Sequence, residues 1–168
     1  MLPLLFLACT GQTPETVAVD GPPPPNLVLV VVDTLRADRL GLYGYERPTS
    51  PNIDRVAATG MVFDRAYAHS GWTLASFASL YSGLLPHQHQ ATRVLELDRS
   101  FGFLRPEVDT LAETLNDRGY RTANFSNNSF LDRQFGLDQG FDVYDNAQQR
   151  TAMETTDQAL DWLRAESG

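Results

Sequence analysis

The sequence predicts an α/β domain on a mostly parallel sheet, and three stretches carry that prediction. Leu27 to Val32 is an unbroken aliphatic run closed by Asp33, the pattern of a central strand buried on both faces. Thr73 to Ser82 is an apolar run of helical length, opened by small and hydroxyl residues and stopped by Gly83. Residues 109–125 read as a helix through Leu111, Ala112 and Leu115, a stop at Gly119, and a strand from Tyr120 to Phe125. Helices alternating with strands mark the α/β class.

In chain order, Met1 to Ala8 is apolar but too short to span a bilayer. Followed by Cys9, it is similar to the end of a bacterial lipoprotein signal, in which that cysteine carries the lipid. The alternative is a ragged apolar terminus with an incidental thiol. Cys9 is the chain's one cysteine, so no internal disulfide forms. The lipoprotein reading places the protein in the cell envelope, exported to the periplasm or outer membrane and held at the membrane through Cys9. Thr10 to Pro25 has few large apolar residues and ends in four prolines. It suits a tether and is excluded from the fold. The organisation expected is therefore a signal segment at 1–9, a linker at 10–25 and an α/β domain at 26–168.

After the first strand, Thr34 to Pro48 is a loop. Ser50 caps a helix with Pro51 at its first position, an apolar face of Ile53, Val56 and Ala57, and Gly60 as its stop. Met61 to Ala68 reads as a short strand with Phe63 and Tyr67 turned inward. Then comes the Ser70–Ser82 loop and helix, with Thr73 at or near the N-cap. There a hydroxyl and free backbone N–H groups meet, and the helix dipole favours an anionic ester. The same window also reads as a capped, buried helix and nothing more. Asp33, beyond the carboxyl end of its strand, lies where ligands bind in open α/β sheets. It can serve a metal or simply cap the following turn. His87 and His89 follow Pro86 and could ligate a metal. Ala91 to Val108 is a long polar loop. Gly140-Phe141-Asp142 reads as packing, and Thr151 to Ala165 as a final amphipathic helix. A formal charge of −8 with no basic patch excludes a nucleic-acid partner.

Asn26 to Asp33, Thr34-Leu35-Arg36-Ala37-Asp38, Gly41-Leu42-Tyr43-Gly44-Tyr45, Thr49 to Asp54 and Trp72 to His87 together resemble the N-terminal part of the sulfatase family. That family belongs to the alkaline-phosphatase-like superfamily. The resemblance covers about residues 26–165. It implies the N-terminal portion of a three-layer α/β/α alkaline-phosphatase-like fold, and a metal-dependent hydrolase or transferase acting on small sulfate or phosphate esters. The family motif Cys-x-Pro/Ala-x-Arg, whose Cys or Ser becomes formylglycine, falls on Thr73, Ala75 and Phe77. Threonine cannot give that aldehyde, and the arginine is replaced. The chain is similar here to superfamily members that use an unmodified threonine. By resemblance, Thr73 is nucleophile and metal ligand, and Asp33 is a second ligand. The cation is Ca2+ if the site is sulfatase-like, Zn2+ or Mn2+ if it is phosphotransferase-like. The family's further ligands, an Asp-His pair and more histidines, have no counterpart in these residues, so little activity is expected of this chain alone. The competing reading is a catalytically dead, lipid-anchored envelope protein or binding module.

Overall fold

The computed structural model describes residues 25–94 and 100–166. The signal segment with Cys9 and the linker up to Pro24 lie outside the described residues. The chain divides between Thr34 and Leu35 into two units. In the first, Asn26 to Val32 forms no strand, and Leu27 to Val32 are between 45% and 79% exposed. The expected buried central strand is therefore corrected. Backbone groups in a strand need a neighbouring chain, and no strand among the described residues pairs with this run. Thr34 ends it in the left-handed region (φ 58°), its hydroxyl donating to the Asp33 carbonyl at 2.7 Å.

The second unit opens with two 3-10 turns, Ala37–Arg39 and Gly41–Tyr43, tied to helix α1 (Pro51–Ala57). Ser50 stands at the N-cap as expected but caps nothing with its side chain. Its Oγ instead donates to Asp54 and accepts the Gly41 N–H at 2.9 Å, while Asp54 Oδ1 accepts the Leu42 N–H at 2.9 Å. The expected apolar face of α1 is open, with Val56 70% exposed. Met61 to Ala68 contains no strand, and Phe63 and Tyr67 are exposed. That expectation is corrected for the same reason: the apolar residues are present, but no described strand pairs with them.

Helix α2 (Thr73–Ser82) keeps its predicted bounds and ends at Gly83 in the left-handed conformation (φ 70°), which glycine adopts without a Cβ penalty. It is the centre of this unit. Leu74, Phe77, Ala78 and Tyr81 pack with Ala91, Leu104, Leu131, Phe135 and Leu137. Each fully buried leucine contributes about 1.5–3 kcal/mol. The short helix α3 (Pro86–His89) follows. An antiparallel pair, β1 (Arg93–Val94) with β2 (Ser100–Phe101), occupies the stretch read as a loop.

Helix α4 (Leu111–Asn116) begins at Thr110, which forms a reciprocal capping box with Glu113. Strand β3 (Ala123–Ser126) pairs in parallel with β4 (Val143–Asn146). Their connection runs through two 3-10 turns, Ser129–Leu131 and Arg133–Phe135. Asp142, in the expected packing turn, accepts the Thr122 N–H at 2.8 Å, and that bond holds its carboxyl below the usual range. Helix α5 (Ala152–Glu166) closes the chain. Successive strand residues point to opposite faces. Asn124 meets the Tyr81 hydroxyl of α2 at 3.2 Å, while Phe125 stacks on Trp162 of α5 at 6.2 Å. Helix, parallel sheet and helix thus form three layers around β3.

Candidate functional site

The start of α2 is fixed by its own sequence. Ser70 Oγ accepts the Trp72 N–H at 3.1 Å, and the extended Trp72 takes the N-cap. Its carbonyl receives the first helical bond from the Ser76 N–H at 3.0 Å. Thr73 is therefore the first helical residue and not the cap. Trp72 has no side-chain oxygen with which to cap the first turn. Thr73 and Ser76, both half-buried, stand three residues apart and so share a helix face. The amides of this turn and the positive end of the dipole favour a negatively charged group.

Trp72 is held by aromatic contacts with Phe101 and Phe130, each at 5.4 Å between centroids. Phe130 belongs to the turn that leaves the carboxyl end of β3. The Trp72–Phe130 contact therefore brings that turn, with Asn127, Asn128 and Ser129, up to the start of α2. Carboxyl ends of parallel strands are where α/β folds place ligands. Asn146 stiffens the turn. Its Oδ1 accepts from the Asn128 N–H at 3.0 Å and from Ser126 Oγ at 3.1 Å, and its Nδ2 donates to the Asn128 carbonyl at 2.9 Å. These residues were missed as site candidates. The available signal was an uninterrupted polar run, Ser126 to Ser129, directly after a predicted strand.

Phe77, at the position the resemblance gives to arginine, is buried and packs edge-on against Tyr81 at 5.8 Å. It builds core and supplies no charge. Burial pushes the Tyr81 hydroxyl up to about 12, so it is a neutral donor at physiological pH. Of the two histidines considered for a metal, His87 is exposed and His89 is fully buried against α2. Asp33 is exposed and belongs to the segment before Leu35, whereas Thr73 belongs to the unit after it. Among the described residues no group of three or more His, Cys, Asp or Glu side chains gathers to hold a metal ion. Catalytic cations commonly take three protein ligands, so the described residues do not by themselves compose such a site.

Comparison with known proteins gives this geometry its family. The family profile named Sulfatase matches residues 25–165. Human (Homo sapiens) arylsulfatase A is 38% identical over 99 residues, 59% of this chain and 20% of that protein. The N-acetylgalactosamine-6-sulfatase of Canis lupus familiaris is 31% identical over 124 residues, 70% of this chain and 23% of that protein. A crystal structure of a Bacteroides thetaiotaomicron VPI-5482 protein assigned to the sulfatases superposes with a TM-score of 0.52 at 28% identity, covering 63% of this chain and 22% of that one. The chain thus spans about a fifth of the length of the relatives it matches. Its three-layer α/β arrangement is that of the alkaline-phosphatase-like fold. On a match running through nearly every described residue, the chain belongs to the sulfatase family of sulfuric ester hydrolases.

Proposed function

We propose that this chain carries the nucleophile of a sulfate or phosphate ester hydrolase or transferase, with Thr73 in the place of formylglycine. The observation that carries the reading is Thr73 at the first position of α2, beside a first turn that the Trp72 side chain cannot cap. The Thr73 hydroxyl attacks sulfur or phosphorus, the bond to the ester oxygen breaks, and the leaving alcohol takes the hydroxyl proton. Water or a second alcohol then releases the Thr73 ester. A threonine hydroxyl is a poor nucleophile and needs activation. A divalent cation would supply it, Ca2+ in a sulfatase-like site or Zn2+ or Mn2+ in a phosphotransferase-like one. Asp33 and Thr73 would be this chain's ligands to it, and the rest of the ligand set would come from outside the described residues. The 168 residues alone are accordingly expected to turn over ester poorly. The apolar run Met1 to Ala8 followed by Cys9 supports an envelope protein tethered through a lipid on that cysteine. The second reading, a catalytically dead envelope protein, draws on Phe77, which replaces a charge with core.

The test is turnover of aryl sulfate and aryl phosphate esters by the full-length protein. Thr73→Ala is expected to lower kcat by roughly a thousandfold or more, and Asp33→Asn to weaken cation dependence. Wild-type turnover in both variants would contradict the mechanism.

A further inference from the structure

His89 is fully buried, and both of its ring nitrogens are engaged. Nδ1 accepts the Ala91 N–H at 3.0 Å. The ring's single proton therefore sits on Nε2, which faces Ser79 Oγ of α2 at 3.0 Å and donates to it. We propose that the Ser79–His89 pair is a pH-operated latch fastening the Pro86–Ala91 turn to α2, closed while the imidazole carries one proton and opened by a second.

The second proton has one place to go, Nδ1, where the Ala91 N–H already points. Donor then faces donor, and the bond is lost. No carboxylate acts on the ring to offset the new charge, and the Ala75 backbone, which favours it, is outweighed by burial. Helix α2 carries no charged residue, and its one titratable group, Tyr81, stays neutral. On the turn itself His87 is exposed. Burial disfavours the charged ring, and His69 from the preceding segment acts in the same direction with a like charge. The turn is also poised to move. Gln90 sits at φ 61°, a left-handed conformation uncommon for a residue with a Cβ. It is held between the Ala91–His89 bond and the Gln90 N–H bond to the Pro86 carbonyl at 3.1 Å. Ala91 is itself a core residue, fully buried in the cluster that contains Leu74 and Ala78. Opening the latch therefore loosens packing on α2 as well as the turn. Ala75, whose backbone acts on the imidazole, lies two residues beyond Thr73. An effect on Thr73 rests on the functional reading above, whereas the latch does not.

The experiment is a pH series on the whole chain with 15N-labelled histidine, reading the imidazole nitrogens together with hydrogen exchange of the Ala91 amide. At about pH 7.5 His89 should show the Nε2–H tautomer and a protected Ala91 amide. When His89 gains its second proton, the Ala91 protection factor should fall by roughly tenfold or more. In His89→Gln that fall should be absent. A protonated Nδ1 at neutral pH, or a doubly protonated His89 with Ala91 still protected, overturns the proposal. The wild-type spectra decide this even if the variant does not fold. The readout is at His89 and Ala91, so an inactive Thr73 leaves it untouched.

Discussion

At Gly41 a methyl group would stand 2.4 Å from Asp54 Oδ2. That carboxylate cannot swing aside freely, because it accepts from Ser50 Oγ and from the Leu42 N–H. Gly41→Ala should therefore destabilise the chain by about 1–3 kcal/mol, the usual range for overpacking, and thermal denaturation would check it. An unchanged midpoint would mean that the clamp between the first turns and α1 is loose. Single residues explain much of what was legible beforehand. Gly83 marks the end of α2 because its φ of 70° suits glycine, and Thr110 with Glu113 announces α4 because the cap is closed by side chains three residues apart. Thr73, read at or near the N-cap, takes the first helical position beside it. The cap belongs to Trp72, a residue type with no capping preference, and the structural reason is the Ser70 bond that precedes it.

Among the elements, α4 offers the cleanest energetic test. Thr110 Oγ1 accepts the Glu113 N–H at 3.1 Å, and Glu113 Oε2 accepts the Thr110 N–H at 2.8 Å. Thr110→Ala should cost about 1 kcal/mol, readable as a shift in the urea midpoint with unchanged slope. The α2–α3 junction predicts a pH dependence. Burial lowers the His89 pKa from 6.5, so the unfolded chain takes up the proton first. Its contribution to stability is complete above pH 6.5 and is lost as pH falls from 6.5 toward the lower folded value. Melting temperatures in this window should drop on acidification, and His89→Gln should flatten that part of the curve. Helices α2, α4 and α5 were readable because their bonds and caps are local. The runs at 27–32 and 61–68 were not. Hydrophobic patterning says which side chains seek cover, and a strand also needs a partner that local sequence does not name.

Over the whole molecule, the second unit assembles around α2, with the β3–β4 pair on one side of Tyr81 and the aromatic group of Trp72, Phe101 and Phe130 at the helix start. That arrangement sets the start of α2 beside the turn that leaves the carboxyl end of β3. The site was half legible. Thr73 stood out by its place before an apolar helix, whereas the Asn127–Ser129 turn could be brought to it only by the long-range Trp72–Phe130 contact. The most direct measurement is rapid acid quench of the full-length protein during turnover of an aryl ester, followed by peptide mass spectrometry. A sulfuryl or phosphoryl group is expected on Thr73 and absent from Thr73→Ala; turnover with Thr73 unmodified and the group found on another residue, or on none, would contradict a threonine nucleophile.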